Sequence, residues 1–477
     1  MQWLLNGISW LQGLGASVML PIVILILGLV LGAKFGKAFR AALLIGVAFI
    51  GINLVIGLLG TYLGGASQAI VTRTGVHLDV VDVGWPAAAA IAFGGTVGVW
   101  IIPLCLVVNI VMLLLRGTKT LNVDIWNFWH FAFTGSLVYA ASKDLVLSLG
   151  VAALNAAVVL FLADWTAPGV QALYNLPGIS IPHGFSAAYV PFGIVFNWII
   201  EKIPGLNKLK ADPESIEKRF GVIGEPLVMG TILGFIIGCF AYLGDSTVGP
   251  FSAQLAKILV MSISLGAVMV LLPRMVSVLM EGLIPISQAA GEFMQKHFHG
   301  GEFYIGLDSA ILVGHPTAIA LALILTPLTI LIALGLSAIG LNRILPFTDL
   351  AVLPFLLVMV APVTRGNIVR GVIIGIIVIA LGLFLGTSMF PLFTSAAVDA
   401  HFTMPAGATY ISSICDGSNP LSWLLLRLTT VFNNPVMNYI GLLVGFVILV
   451  VIVFFYKRNA HAWEVLAGGP VEEEVKA

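Results

Sequence analysis

Residues 145–163 read LVLSLGVAALNAAVVLFLA, a stretch without a charged side chain. A helix that crosses a bilayer needs about 20 mostly apolar residues, so this stretch predicts a transmembrane helix. Further apolar stretches predict the same structure at 16–33, 38–60, 87–115, 226–243, 253–280, 310–336, 367–387 and 438–456. The chain is therefore predicted to cross a membrane many times.

The composition supports a membrane protein and excludes several other classes. Of 477 residues, 59% are apolar and only 9% are charged, whereas a soluble domain carries about 25% charged residues. Lys plus Arg (22) equals Asp plus Glu (22), so the chain lacks the basic surplus of a nucleic-acid-binding protein. Because Cys105, Cys239 and Cys415 form no CxxC pair, neither a disulfide framework nor a zinc site is expected.

Four weaker apolar segments are too short or too polar for a clear spanning helix: 125–141, 187–200, 348–362 and 421–432. Non-helical backbone is tolerated at membrane depth only where protein or a water-filled cavity satisfies its amides, so such segments often mark a substrate path. We predict an all-α polytopic membrane protein with about 11 transmembrane helices plus re-entrant hairpins. A single membrane domain is expected over residues 1–477, with spans from about 16 to 456.

Basic residues in the loops set the predicted orientation. Lys and Arg follow the first and third spans, occupy the longest polar loop from Lys202 to Arg219, and end the last span as Lys457 and Arg458. The positive-inside rule places these loops in the cytoplasm. The N-terminus is thus predicted outside, and residues 457–477 are predicted to form a cytoplasmic tail.

Two similarities suggest an internal duplication. FRAALLIGV from Phe39 resembles IVRGVIIGI from Ile368, and DVGWP from Asp82 shares the pattern DxxxP with DGSNP from Asp416. Both copies have the same predicted sidedness, which favours a parallel repeat, and chance similarity between Gly- and Ile-rich helices is the alternative. Duplicated halves with a site between them are common in transporters.

Polar side chains in apolar surroundings are the candidate binding residues, because an ionisable group inside the bilayer is costly. Asp82 lies at the Gly- and Pro-containing break of VVDVGWP, where a helix N-cap is the alternative role. Asn127 and His130 in NVDIWNFWH share one face of a predicted helix, whereas Asp124 fits a cap.

Three further breaks in the apolar pattern carry candidates. His183 follows a proline in GISIPHGFSAAY and lies on the predicted tip of a re-entrant hairpin, with a surface turn as the alternative. Asp308 heads an apolar run, either as a carboxylate aimed into a cavity or as a plain N-cap. Asp416 and Asn419 in CDGSNP supply an acceptor and an amide at a breakpoint.

The candidates are His, Asp and Asn, with hardly any Lys or Arg in the apolar segments. Carboxylates accept from neighbouring hydroxyls, amides donate and accept, and a neutral imidazole donates at one nitrogen and accepts at the other. A phosphate or carboxylate ligand would call for Arg instead. This set predicts a neutral polyol or sugar as substrate, with no metal and no cofactor.

The same motifs resemble one family, the IIC permease of the galactitol class of the phosphoenolpyruvate-dependent phosphotransferase system (PTS), in the ascorbate/galactitol permease superfamily. The matching words lie in one order along nearly the whole chain: MLPIVI from 19, VVDVGWP from 80, NVDIWN from 122, IPHG from 181, IIEKIPG from 199, FGxxGEP from 220, EFYIGLD from 302 and NPLSW from 419. The resemblance is weaker over 388–415, which leaves the exact polyol open.

The resemblance implies a permease of the bacterial inner membrane that takes up galactitol or a related polyol. It implies delivery to a separate cytoplasmic IIB subunit, whose phosphocysteine is recharged by IIA. It also implies a homodimer with elevator-type core and scaffold domains, and it places His130, His183 and Asp308 near the substrate. Such a permease has no catalytic residues of its own, although it belongs to a phosphotransferase complex.

Two alternatives come from other functional classes. An ion-coupled secondary symporter for polyols or sugars would also need Asp and His within the membrane. A membrane-embedded enzyme is least favoured, because the sequence shows no nucleophile-and-base set and no metal triad. Uptake in vesicles distinguishes the PTS permease from the symporter, since only a PTS permease requires phosphoenolpyruvate and soluble subunits.

Overall fold

The computed structural model describes residues 16–59, 61–62, 65–74, 80–122, 124, 127–211, 226–297, 303–346, 348–402, 404, 408–432 and 434–471. In chain order the helices are α1 (Ala16–Val30), α2 (Phe35–Leu59), α3 (Gly65–Thr74), α4 (Gly84–Gly94), α5 (Gly98–Leu114), α6 (Phe128–Ser142), α7 (Leu145–Tyr174), α8 (Gly184–Ala188), α9 (Val190–Lys202), α10 (Pro226–Tyr242), α11 (Phe251–His297), α12 (Pro316–Ala338), α13 (Leu353–Leu357), α14 (Val360–Val363), α15 (Ile368–Asp399), α16 (Pro420–Thr430), α17 (Pro435–Arg458) and α18 (Ala460–Leu466). The strands are β1 (Val80–Asp82), β2 (Thr120–Asn122), β3 (Ile179–Ser180), β4 (Tyr304–Gly306), β5 (Ile344–Leu345) and β6 (Tyr410–Ser412).

Several helices are long and apolar enough to cross a membrane. Within the described residues, length and composition select five: α7, the 251–271 part of α11, α12, α15 and α17. A sixth span results if α4 and α5 are counted together, although these two helices meet at 86°. The structure thus confirms a mostly helical, multi-span protein, whereas the count of eleven crossings stays a prediction.

The sequence predicted one spanning helix over 87–115, and this prediction is wrong because the stretch forms two helices. It divides at the glycine-containing turn FGGTVG between α4 and α5. Glycine is a poor helix former, and the Thr96 amide donates to the Asp399 carboxylate at 3.2 Å. An acceptor from α15 therefore holds the chain in the bend.

The four weaker apolar segments become short helices rather than full spans. Segment 125–141 forms α6, which is 15 residues long and buried from Phe128 to Val138. At 1.5 Å per residue α6 is about 22 Å long, less than the roughly 30 Å hydrocarbon core. The segments 187–200, 348–362 and 421–432 fall on α8 and α9, on α13 and α14, and on α16.

Six short strands, which an all-α prediction did not include, form two parallel sheets in the described residues. The first sheet has the order β5-β1-β6, and the second has the order β2-β4-β3. Register pairs Val80 with Ile344 and Tyr410 in the first sheet, and Ile305 with Leu121 and Ile179 in the second. Extended backbone among apolar helices needs hydrogen-bond partners, and pairing with other short strands supplies them.

The two sheets interlock two halves of the chain. The same spacing of forty residues separates β1 from β2 and β4 from β5. In the first sheet β1 lies between β5 and β6 of the second half, and in the second sheet β4 lies between β2 and β3 of the first half. Each half therefore contributes the central strand of the sheet that the other half builds.

Equivalent helices of the two halves run in opposite directions. Helix α7, between β2 and β3, begins at Asp144, which accepts a hydrogen bond at 2.8 Å from Tyr439 near the start of α17. Helix α15, between β5 and β6, begins just after Arg365, which donates at 3.2 Å to the carbonyl of Gly469 beyond the end of α17. The start of α15 lies beside the end of α7, since a Cβ at Gly366 would be 3.3 Å from Leu173 Cδ1. The end of α15, at Asp399, lies beside the part of α6 that packs on the start of α7, so α7 and α15 are antiparallel.

The parallel repeat predicted from the sequence is therefore wrong, and the duplication is inverted. Asp82 and Asp416 are not equivalent positions, because β1 and β6 pair directly in one sheet, with Asp82 opposite Ser412. The similarity between the segments at Phe39 and Ile368 reflects shared Gly and Ile content, since these segments lie in α2 and α15, which occupy different places in the two halves.

The buried side chains form two apolar clusters. The larger draws on α4 to α7 and α12 to α17, and the smaller includes the buried faces of α1, α2, α10 and α11. The predicted tail from 457 begins inside α17 and continues into α18. It packs against the larger cluster, where the Trp165 indole donates to the carbonyl of Trp463 at 2.6 Å.

Gly306, in the centre of the second sheet, provides a test of the fold. A Cβ atom at Gly306 would lie 2.8 Å from both Pro182 Cγ and Thr120 Cγ2. We expect Gly306→Ala to push the neighbouring strands apart and to destabilise the protein by about 1 to 3 kcal/mol, the usual cost of overpacking. The measurement is the midpoint of thermal unfolding in detergent.

The matched control is Gly335→Ala, because nothing lies within 4 Å of a Cβ at that exposed helical position. Alanine favours a helix over glycine by about 1 kcal/mol, so its midpoint should stay or rise. Equal midpoints for Gly306→Ala and the wild type would show that the second sheet is not tightly packed.

Candidate functional site

His130 lies where turns from both sheets meet. It follows the N-cap Asn127 in the first turn of α6, and its side chain is 2% exposed. The turn after β3 carries His183, the turn after β4 carries Asp308, and the turn after β6 carries Asp416. All three side chains are buried; Asp416 and His183 contact the His130 ring, and Asp308 faces His183.

A row of hydrogen bonds joins three of these side chains. Asp416 Oδ2 lies 2.6 Å from His130 Nδ1, and His130 Nε2 lies 3.2 Å from His183 Nε2. His183 Nδ1 accepts from the Ser186 amide at 3.2 Å, so the proton of a neutral His183 is on Nε2. The network thus assigns Nδ1–H to His130 and leaves its Nε2 as an acceptor for His183.

Asp308 joins the row at the same nitrogen of His183 that faces His130. Its Oδ1 lies 3.7 Å from His183 Nε2 and accepts from the Ala310 amide at 2.7 Å. The carboxylate therefore caps the short 3₁₀ turn at Ser309–Ile311 while facing the imidazole. Asp308 is therefore an N-cap, and its role as a carboxylate aimed into a substrate cavity stays a prediction.

Asn419 fastens two of the turns together. Its amide donates to the Gly184 carbonyl and to Asp416 Oδ1, both at 3.0 Å, and its Oδ1 accepts from the Leu421 and Ser422 amides. Only glycine fits at position 184, because the turn passes so close to α6 that a Cβ there would lie 2.5 Å from His130 Cβ. Asn419 thus positions Asp416, and a direct contact with substrate stays a prediction.

His183 and Asp416 occupy equivalent places in the inverted repeat. The turn after β3 reads Ile-Pro-His-Gly from Ile181, and the turn after β6 reads Ile-Cys-Asp-Gly from Ile414. The two turns approach His130 from opposite sides, one at Nε2 and one at Nδ1. A single imidazole therefore bridges the two halves of the protein.

Two buried amides next to this row retain unused hydrogen-bonding capacity. Asn127 is fully buried, and neither its Oδ1 nor its Nδ2 has a partner. Asn155 of α7 donates to Thr134 at 2.6 Å, while its Oδ1 has no partner. Such groups are costly unless water or a ligand satisfies them, so both extend the candidate site.

Asp82 belongs to a different cluster, built on the first sheet. Its Oδ1 accepts from the Gly84 amide at 3.0 Å, and its Oδ2 accepts from the Asp349 amide at 2.8 Å. Asp349 Oδ1 in turn accepts from the Trp85 amide at 2.7 Å. The two carboxylates brace two neighbouring turns, which favours the cap interpretation of Asp82.

Three buried polar residues with structural partners were not among the candidates predicted from the sequence. Asp349 was hidden in a segment treated as a weak span, and Asn155 in a stretch treated as a plain transmembrane helix. Asp164, in the extension of α7 beyond residue 163, accepts from Thr120 Oγ1 at 2.7 Å and from the Lys119 amide at 2.8 Å. A charged residue in an apolar helix was the available signal for Asp164.

One group of side chains in the described part of the chain could hold a metal ion. Ligand atoms of His130, Cys415 and Asp416 lie within 4.8 Å of one another. Two of these atoms already form the 2.6 Å hydrogen bond between His130 and Asp416. The arrangement therefore fits a hydrogen-bonded pair better than a metal centre.

Asp349 provides a test of the bracing cluster. Besides the Trp85 amide, its carboxylate accepts from the Ser413 hydroxyl and the Cys415 amide. Asp349→Ala leaves these buried donors unpaired, at about 1 to 3 kcal/mol each, so we expect a clearly lower thermal midpoint in detergent. Asp399→Ala is the control, because the Thr96 groups that it leaves are only partly buried. If both variants unfold at the same temperature, Asp349 does not brace the turns.

Comparison with known proteins agrees with the geometry. A family model described as "PTS system sugar-specific permease component" matches residues 11–407. The PTS system galactitol-specific EIIC components of Escherichia coli strain K12 and of Escherichia coli O157:H7 are similar to this chain. Each is 39% identical to it over 432 residues, which cover 91% of this chain and 92% of the relative.

A match of this extent confirms the family predicted from the sequence. It also agrees with the apolar helices in making this a multi-pass protein of the inner membrane. The chain belongs to the EIIC-GAT family, the sugar-specific permease components of the phosphotransferase system.

Proposed function

We propose that this permease takes up galactitol or a closely related polyol and presents it to a separate IIB subunit for phosphorylation. The observation that carries the substrate class is the buried row Asp416–His130–His183–Asp308. Its members and their neighbours are Asp, His, Asn, Ser and Thr side chains, which suit the paired donors and acceptors of hydroxyl groups. The identity with galactitol-specific relatives narrows that class to galactitol or a near analogue.

The proposed substrate contacts are His183 and Asp308 first, with His130 and Asn127 lining the same cavity. The unpaired amide of Asn127 supports this set, because a hydroxyl could satisfy both its oxygen and its nitrogen. Asp416 bonds to His130 Nδ1 and Asn419 bonds to Asp416, so these two residues hold His130 in place. Asp82 ranks last because its oxygens accept backbone amides.

Transport by an elevator movement is part of the proposal. The side chains of the row are each less than 10% exposed, so a substrate reaches them only after parts of the protein separate. The smaller apolar cluster supports a scaffold that includes α1, α2, α10 and α11. The site lies where this cluster meets the larger one, because Ile181 and Leu307, near His183 and Asp308, belong to the smaller cluster. The proposal also includes a homodimer and about eleven membrane crossings in a single domain over residues 1–477. It places the N-terminus outside and the tail from residue 457 in the cytoplasm.

Vesicle transport tests the energy source. PTS permeases work with IIA and IIB components, so labelled galactitol should accumulate as galactitol phosphate only when phosphoenolpyruvate, the general phosphotransfer proteins, IIA and IIB are supplied. Omission of IIB is the control and should abolish accumulation. Accumulation of unmodified galactitol that collapses with a protonophore would show an ion-coupled symporter instead.

Calorimetry tests the proposed contacts. A lost hydrogen bond to a charged group costs about 1.5 to 3 kcal/mol, or roughly ten- to a hundredfold in affinity. We therefore expect Asp308→Asn and His183→Ala to weaken galactitol binding by that factor in purified, monodisperse protein. Asp245→Asn, in the exposed turn after α10, removes one carboxylate charge elsewhere and should bind normally. Wild-type affinity in both site variants would show that Asp308 and His183 do not bind galactitol and serve only as helix caps and turn residues.

A further inference from the structure

The polarity of the histidine pair defines a place for a single hydroxyl. His183 offers a donor at Nε2, and His130 offers an acceptor at Nε2, 3.2 Å away. At this distance the two nitrogens bond to each other, so a hydroxyl group enters only when the rings move apart, and it would then accept from His183 and donate to His130. The pair therefore offers one hydroxyl both a donor and an acceptor.

Asp416 gives His130 the arrangement of a general base. A carboxylate bonded to Nδ1–H fixes the tautomer with a free lone pair on Nε2, and it stabilises the imidazolium that forms when Nε2 takes a proton. Asp416 is itself held by the Asn419 amide at 3.0 Å and is fully buried, so the geometry is rigid. Substrate binding alone does not require this second carboxylate behind the imidazole.

We infer that His130, oriented by Asp416, is the general base that takes the proton from the substrate hydroxyl during phosphorylation. This inference rests on the proposed function and adds a catalytic residue to a permease that the sequence analysis expected to have none. In this assignment His130 is catalytic because it touches the reacting hydroxyl. Asp416 is a positioning residue because it acts through His130.

The step balances with one phosphoryl donor, the phosphothiol carried by the IIB subunit. The hydroxyl oxygen attacks phosphorus, a P–O bond forms and the P–S bond breaks. The electron pair of that bond leaves with the sulfur as a thiolate. The hydroxyl proton passes to His130 Nε2, and the resulting imidazolium stays paired with Asp416 until it releases the proton to solvent.

The base can accompany the substrate because the site is built from one packed unit. His130 is on α6, and the turns that carry His183, Asp308 and Asp416 belong to two sheets linked by both halves of the chain. A movement that exposes the substrate to the cytoplasm would therefore carry the His130–Asp416 pair with it. The base need not be supplied by IIB.

The test separates transfer from binding. Purified permease is mixed with phosphorylated IIB and galactitol, and the single-turnover rate of galactitol phosphate formation is measured, with affinity measured separately by calorimetry. Asp416→Asn keeps the shape but can present its amide N–H to His130, which places the histidine proton on Nε2 and removes the acceptor. His130→Gln removes the base altogether.

We expect both variants to slow transfer by about a hundredfold or more while galactitol affinity changes less than tenfold. Asp399→Asn, a carboxylate outside the site, is the control and should keep the wild-type rate and affinity.

Two results would overturn the inference: transfer within threefold of the wild type in both variants, or losses of rate and affinity in parallel. Either would make the pair a binding device only. A wild-type permease that binds galactitol but receives no phosphate from IIB would instead refute the proposed function. Since the two variants change different side chains, failure of one to fold leaves the other as the measurement.

Discussion

Backbone hydrogen bonding of short extended segments is the constraint on which this structure depends. Chain that is neither helical nor in water must still pair its amides and carbonyls, and here six strands do so in two small parallel sheets. Because β1 and β4 each lie between strands of the opposite half, neither half can complete its sheet alone. The turns that leave the strands are thereby brought to fixed places between the helices.

These turns determine where the polar side chains lie. In the first sheet the carboxylates of Asp82 and Asp349 accept backbone amides and brace the turns. The turns that carry His183 and Asp416 converge instead on the ring of His130. Similar residue types thus stabilise the fold in one cluster and form the candidate site in the other. The difference is that the first carboxylates bond to backbone amides, whereas Asp416 and His183 bond to the His130 side chain.

The candidate site joins the two halves of an inverted duplication at one imidazole. His130 receives a donor from one half and an acceptor from the other, and this polarity matches a hydroxyl group. The site proposed for a neutral polyol therefore also has the groups to remove a proton from it. Recognition and activation of a sugar hydroxyl can share the same side chains in a sugar-specific permease.

The sequence by itself determined the membrane class, the main apolar spans, the family and most of the polar residues at the site, because hydropathy and short motifs are local properties. His130, His183, Asp308 and Asp416 were all singled out as polar groups at breaks or on an apolar helix. Only the tertiary structure decided which of them meet. Strand pairing and repeat orientation depend on contacts between residues far apart in the chain, which no local pattern records. For that reason Asp349 and Asn155 were missed, and the duplication was predicted as parallel although it is inverted.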